Sequence, residues 1–228
     1  MRLEKQSGFT FTELAIIIFI IAIVVSAVLV GQTLLGASKL RSQIIQIEEY
    51  RRAINAFEAK YNALPGDFRN AISYNLGNNG NGNRVMGDFA NETDLIWEHL
   101  GNAGFIDYDS SLGTLPNAKI GFGFVAIYFN STEQRSYFHI GNVANLNSNS
   151  LTPLQAYQID LKIDEGGPFN GDTLAAAAST ADGGYGLAAS IGAGGIDQNV
   201  CLDNSVSPTD YNHPNDTVLC SLDIAVGR

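Results

Sequence analysis

Few side chains in this sequence combine reactive chemistry with a spacing that lets them act together. Glu13 is the first, a lone carboxylate at the leading edge of an apolar run in which residues 14–31 carry no charge. A carboxylate at the start of a hydrocarbon-embedded helix is costly, so it requires a partner or a task. Cys201 and Cys220 are the chain's two cysteines. An even count in a body held outside the cytoplasmic membrane reads as a disulfide, with two free thiols as the alternative. The bridge would close a loop of about 20 residues, which the chain-entropy account values at roughly 3 kcal/mol. His99, His139 and His213 lack the spacing of metal ligands. Asp160, Asp164 and Asp172 look like paired acids, yet nothing places a nucleophile, base or substrate pocket beside them, so turn and cap roles are expected. No Ser-His-Asp, Cys-His, phosphate-loop or metal cluster has plausible spacing. The expectation is therefore no enzyme, no cofactor and no metal.

Several elements must position these groups. The chain has 228 residues and a net charge of −10, enough for one anchor and one domain of ordinary size. Residues 1–8 contain Arg2, Glu4 and Lys5, so they carry +1 and the remainder −11. An acidic body argues against sequence-independent nucleic-acid binding, which neutralises phosphates with Lys and Arg. The uncharged run of residues 14–31 would span roughly 27 Å as a helix, close to the thickness of a bilayer's hydrocarbon. It is too long for the apolar core of a secretory signal, and a charge sits at its edge. A membrane anchor fits better, with Arg2 and Lys5 on the cytoplasmic side.

The helical pattern continues past the membrane. Leu40, Ile44, Ile47, Ile54, Phe57 and Tyr61 fall on one stripe, with Tyr50 near its seam. The opposite face carries Lys39, Arg41, Glu48, Glu49, Arg52, Glu58 and Lys60, and Pro65-Gly66 ends the pattern. One helix over residues 9–62 is expected, roughly 80 Å long. Gly31 and Gly36 interrupt it, either as a place where it stretches or as small residues for close helix packing.

Beyond residue 62 the chain reads as a globular body. Residues 75–83 are nearly all Asn and Gly, which favours turns and left-handed backbone and cannot bury a core. The run superficially resembles an oxygen-rich calcium loop, but it lacks an acidic ladder and a closing Glu at the right distance. Residues 93–104 read as a short helix capped by Asn91 or Thr93 and ended by Gly104, with Ile96, Trp97, Leu100 and Ala103 inward and His99 on its surface. Residues 120–129 and 136–140 form a hairpin about a turn at 130–134, and Gly121 and Gly123 suggest close approach to the long helix. Thr152-Pro153-Leu154-Gln155 is a capping box with proline at the first helical position, opening a helix to Ile163 that faces Ala156, Ile159 and Ile163 inward. Residues 173–195 are Ala and Gly with one short strand at 173–177. Residues 218–226 alternate like a last strand.

Gly8-Phe9-Thr10-Phe11-Thr12-Glu13-Leu14, followed by Ile16-Ile17-Ile18, resembles the class III leader of type IV pilins and type II secretion pseudopilins. The resemblance implies cleavage between Gly8 and Phe9 by prepilin peptidase, with Phe9 becoming a methylated N-terminus. It implies that Glu13 pairs with the N-terminal amine of a neighbouring subunit during assembly, and two charges in low dielectric attract strongly enough to favour one axial register. Leu64-Pro65-Gly66-Asp67, the phrase running from Trp97 to Ile106, and the string from Ile159 to Pro168 with Gly171 are similar to segments of pilin-like bodies. Glu165 stands where that pattern has a second Asp. The Cys201–Cys220 interval is similar to the family's disulfide-bounded C-terminal loop.

The fold class expected is α+β, a long N-terminal helix packed on a small antiparallel sheet. The division is a leader at 1–8, a transmembrane and polymerisation helix at 9–36, an amphipathic second half at 37–62, and a periplasmic or extracellular body at 63–228 with the disulfide loop 201–220. The function implied is a structural subunit of a pilus or pseudopilus serving adhesion, motility, DNA uptake or protein secretion. A type II secretion pseudopilin specifically, or a single-span anchored binding protein, are the alternatives. Implied partners are further copies of the chain or related subunits, the membrane, prepilin peptidase, an inner-membrane platform protein with its assembly ATPase, and a secretin. The implied location is the inner membrane before assembly, with the N-terminus cytoplasmic and the body periplasmic, and a periplasmic or cell-surface filament afterwards.

Overall fold

Helix α1 (Phe11–Tyr61) is one unbroken helix of 51 residues. The computed structural model describes residues 10–88, 92–108, 115–121, 123–130, 134–141, 150–164, 166–167, 171–176, 201–203, 210–211 and 220–227. Backbone proximity separates two units, Met1–Lys39 and Leu40–Arg228, and α1 contributes to both. The helix runs through Gly31 and Gly36 without interruption, because neither glycine alone removes a backbone hydrogen bond. It ends where Asn62 adopts φ 51°, its N–H still bonded to the Glu58 carbonyl. A left-handed Asn is thus the stop, three residues before Pro65.

Within the second unit α1 buries Ile47, Tyr50, Ala53, Ile54 and Phe57, with Leu40 and Tyr61 packed at the margins. Two residues on that stripe are polar. Gln43 and Gln46 are buried, and they satisfy backbone that has no ladder partner. Gln43 Oε1 accepts from Lys119 N at 2.6 Å and Ile120 N at 3.3 Å, while Gln46 Nε2 donates to the Asn117 carbonyl at 2.9 Å.

The sheet has four antiparallel strands in the order β1-β2-β6-β3: β1 (Phe124–Asn130), β2 (Arg135–Gly141), β6 (Ser221–Ala225) and β3 (Thr173–Ala176). Val125 faces Ile140, Ile127 faces Phe138, and Phe138 and Ile140 face Ile224 and Leu222. These six side chains enter one core with Ile47, Tyr50 and Phe57 of α1. The period-two alternation dictates this, since every second side chain falls on one face. The other face carries Tyr128, Tyr137 and Ala225 as a smaller buried cluster. The hairpin expected from sequence forms, but β1 starts at Phe124 rather than residue 120. Gly121 has φ +71°, and a Cβ there would meet the Ser150 carbonyl. Gly123 lies against Gly141 and Ser150. The two glycines therefore admit Ser150 and Gly141, and the expected approach to the long helix is corrected.

The described body also holds two short α-helices and a 3-10 turn at Ala71–Tyr74. In α2 (Glu92–Asn102) residues Glu92, Thr93, Ile96, Trp97, His99 and Leu100 are buried, so the helix is enclosed over most of its circumference. The proposed caps fare differently: Thr93 lies inside the helix, and Asn91 is outside the described residues. Helix α3 (Pro153–Ile163) opens on the expected capping box, Thr152 Oγ1 accepting from Gln155 N and Gln155 Oε1 from Thr152 N. The Asn/Gly run 75–83 does turn, with Asn75 at φ 57°, yet it places Leu76 in the core at 2% exposure. Most of residues 173–195 and the turn at 131–133 lie outside the described residues.

Candidate functional site: the N-terminal helix and the disulfide loop

The start of α1 is built by Thr10-x-x-Glu13. Glu13 Oε2 accepts from both the backbone N–H and the hydroxyl of Thr10, each at 2.7 Å. Thr10 Oγ1 in turn accepts from Glu13 N at 3.3 Å. This reciprocal pair is a capping box, which satisfies donors left over at a helix N-terminus. Its pattern stands in the sequence, but the apolar run draws attention to the charge of Glu13 rather than to its cap. Gly8 and Phe9 lie outside the described residues.

Behind Glu13 the apolar side chains have no cover. Ile16, Phe19, Ile23 and Val30 are 54–67% exposed. The helix has an 18-residue window of mean hydropathy 3.2, none of it buried, and is long and apolar enough to cross a membrane. Ser26 donates to the Ala22 carbonyl at 2.8 Å, so its hydroxyl needs no water.

At the far end of the chain Cys201 and Cys220 form a disulfide and both are buried. Cys220 precedes β6 and bridges to Leu151 by backbone hydrogen bonds of 2.9 and 3.0 Å, so the loop is tied to the sheet and to the entry of α3. Inside the loop β4 (Leu202–Asp203) pairs with β5 (Asp210–Tyr211). Tyr211 is buried and donates to Asp160 Oδ2 of α3 at 2.8 Å. Burial, and then the Asp160 charge, push the Tyr211 phenol well above its ordinary pKa, so it stays a donor. Asp164 accepts from Asp172 N, and Asp172 pairs with Arg135 at 2.9 Å. Asp164, at the C-cap of α3, and Asp172 thus tie turn and strand, whereas Asp160 lies inside α3 and holds Tyr211 of the disulfide loop rather than capping or turning.

His99 is not on the surface. It is fully buried, its ring stacked at 6.0 Å from that of Phe57. Nδ1 accepts from Gly66 N at 2.9 Å, which leaves Nε2 to donate to the Asn78 carbonyl at 2.8 Å. The turn at Pro65-Gly66 packs over α2, and the chain bends back there to reach the histidine; Gly66 has φ +84°, where a Cβ would also meet Ile96. Burial lowers the His99 pKa, so the ring is held neutral as a splint between two loops.

A second polar group spans the sheet. Asp223 lies directly across from His139, accepting from His139 Nδ1 at 2.8 Å and from Tyr128 OH at 2.7 Å. An Asp-His pair is half of a nucleophile-activating triad. Among the described residues no hydroxyl or thiol bonds the other nitrogen of His139, so the pair reads as a satisfied cross-strand tie. A groove of about 530 Å³ beside α1 is lined by Glu49, Tyr50, Arg52, Phe105, Asp107 and Lys119 among others, with charges of both signs and no convergent catalytic set. No three His, Cys, Asp or Glu side chains among the described residues form a ready metal set.

What the arrangement offers is thus a helix with an uncovered apolar surface and a cap at its start, and a body whose polar groups serve as ties. This defines an α+β protein with, among the described residues, one candidate membrane span and a C-terminal disulfide. No family profile, characterised protein or solved structure matches this chain.

Proposed function

We propose that the chain is a type IV pilin-like structural subunit, processed between Gly8 and Phe9 and assembled through the first half of α1 into a pilus or pseudopilus. The observation that carries this reading is the uncovered apolar surface of α1 behind Glu13, which demands lipid or neighbouring helices. The leader pattern ending at Gly8 supports processing. After cleavage Thr10 becomes the second residue, and the Thr10–Glu13 cap lies beside the new amine at Phe9. Glu13 then has two possible acceptances to exchange, its own Thr10 donors or the amine of a neighbour.

N-terminal mass spectrometry of the mature protein tests the reading. A chain beginning with N-methyl-Phe9 is expected, and an intact Met1 would sink it. Glu13→Val is expected to insert normally but to lose most filament assembly, read as sheared filament yield. In a plain anchor, Glu13 only caps its own helix, so Glu13→Val and Thr10→Ala would act alike and mildly. The secretion pseudopilin alternative predicts short filaments and loss of exoprotein export in a deletion strain. The partners and the two locations follow with the reading: prepilin peptidase, platform protein, ATPase and secretin, first at the inner membrane and then in a filament.

A further inference from the structure

The connection between α1 and α2 gathers oxygens that none of the roles above uses. The carboxylates of Asp88 and Glu92 interact directly, and Asp67 is close enough to add its repulsion. Glu92 is 3% exposed. Its Oε1 accepts a long bond from Asn81 N at 3.3 Å, and its Oε2 receives no donor. Asp88 takes the side-chain amides of Asn81 and Asn83. Both Asp67 oxygens are occupied by the N–H groups of Asn83 and Arg84, each at 2.8 Å. Among the described residues, the ion pairs lie elsewhere, at Arg51–Glu48, Arg135–Asp172 and His139–Asp223. Arg69, beside this loop, turns its Nε to the Asn81 carbonyl at 2.6 Å. Three carboxylates therefore share one loop with no cation on them.

A buried carboxylate oxygen without a donor needs positive charge, supplied by a proton or by a metal. We propose that Asp88 and Glu92 hold a hard divalent cation, with calcium the chemical match. The available donors are all oxygen: two carboxylates, the Oδ1 atoms of Asn81 and Asn83, which each keep a lone pair beyond the N–H they accept, main-chain carbonyls, and water. Oxygen sets select calcium or magnesium, and a long turn-rich loop accommodates the larger, more flexible calcium shell. Softer metals lack ligands here, since both cysteines are bridged and both His99 nitrogens are spent. Counted from Asn81, Glu92 stands at the twelfth position, where a calcium-binding loop has its closing Glu, and its Oε1 accepts from Asn81 N; what the loop lacks is the acidic ladder, for which Asn81 and Asn83 stand. Burial, then the Asp88 neighbour, push the Glu92 carboxyl up to about 8, as expected of a site that wants positive charge. Because Asp88 must give up its Asn81 and Asn83 donors to take the metal, and only Glu92 Oε2 has no donor to lose, the affinity expected is that of extracellular modules, Kd of about 10⁻⁴–10⁻³ M.

The test uses the full chain in detergent micelles, stripped with EDTA and titrated with calcium chloride by calorimetry and by thermal unfolding. Expected are one bound calcium per chain and, at a hundred times Kd, a rise in Tm of about 5 °C or more. Terbium should also emit on excitation of Trp97, the chain's one tryptophan, about 7.5 Å along α2 from Glu92. Glu92→Gln, which keeps the shape and removes the charge, and Asp88→Asn should each weaken calcium at least tenfold, while Glu49→Gln on α1 leaves it unchanged. Magnesium binding tenfold tighter than calcium would overturn the choice of metal. No calcium response up to about 10 mM, well above the weak end of extracellular sites, or equal binding by both loop variants, would overturn the site.

Discussion

The two halves of α1 have the same backbone and opposite fates. In the first half the large apolar side chains stand open, Phe11 at 87% and Phe19 at 67% exposure. In the second, Ile47 and Phe57 have none of their surface exposed. Both halves are rich in Ile, Leu and Phe, so hydrophobicity alone does not separate them. What separates them is the polar complement. The first half has no charge on any face between residues 14 and 31, and its one hydroxyl there, Ser26, bonds its own helix, whereas the second alternates an apolar stripe with Arg, Glu and Lys. A helix apolar all round has no side to turn to water, so it requires a medium; an amphipathic one requires only a partner surface. The chain's own body supplies that surface for residues 40–61; for the rest, the proposed membrane or filament would supply the medium.

The largest effect that would break this comparison is a truncation made in each half. Phe57→Ala leaves a hole among Tyr61, Phe68, His99 and Phe105 and is expected to destabilise the body by about 3–5 kcal/mol. Phe19→Ala should leave body stability within about 0.5 kcal/mol. Urea unfolding in detergent, followed by the emission of the fully buried Trp97, measures both. Equal losses would mean that the first half belongs to the folded body after all.

Next in size is the disulfide, which asks how much of the body's order is independent of α1. Replacing Cys201 and Cys220 by Ser together should lower stability by roughly 3 kcal/mol. Limited proteolysis should then cut within residues 201–220 first and leave the β1–β2 hairpin, whose seven residue pairs are set by its own register. Loss of hairpin protection at the same rate would show that the bridge holds the sheet and not merely the loop. A smaller effect sharpens the account of the stripe. Gln43→Ala leaves the N–H groups of Lys119 and Ile120 without their acceptor, for about 1–3 kcal/mol. Gln43→Glu keeps an acceptor but buries a charge, so it should be no better.

Much of this was legible in the residues. Helix α1 follows from 3.6-residue periodicity with no interior proline. The α3 capping box, the β1–β2 hairpin and the strand at 173–176 follow from local chemistry that tertiary packing did not override. The disulfide follows from there being two cysteines. The misses at Gln43, Gln46, Glu92 and His99 share one cause: they are polar residues whose burial depends on chain segments distant in sequence. Gln43 and Gln46 lie seven and four positions before Tyr50 on the same stripe, so the polar residues that share its phase are legible in the sequence. His99 and Glu92 gave no such signal, because α2 is eleven residues long and is enclosed by the 65–88 loop as well as by the core. The Thr10–Glu13 cap was visible as a pattern, and only its overlap with a membrane-helix start concealed it.

The smallest expected effect is also the one that tests the enclosure of α2 most directly. His99 is buried, its pKa lowered by desolvation, with the Asn78 carbonyl and the Glu98 charge opposing that shift only in part. The folded state therefore binds a proton less readily than the unfolded chain. Stability from this group is complete above the unfolded pKa of about 6.5 and is lost as pH falls from there toward the lower folded value. The slope is at most about 1.4 kcal/mol per pH unit over that window. Glu92 has the opposite sign, burial pushing its carboxyl from the ordinary 4.5 up to about 8, so its contribution falls as pH rises between them. Comparing Glu92→Gln with the double variant Glu92→Gln, His99→Gln isolates the histidine, because the carboxyl no longer titrates in either. As pH falls below 6.5 the first should lose more stability than the second, with a slope no steeper than that limit. Parallel pH profiles would mean that His99 reaches water in solution, and that the loop at 65–88 does not close over α2.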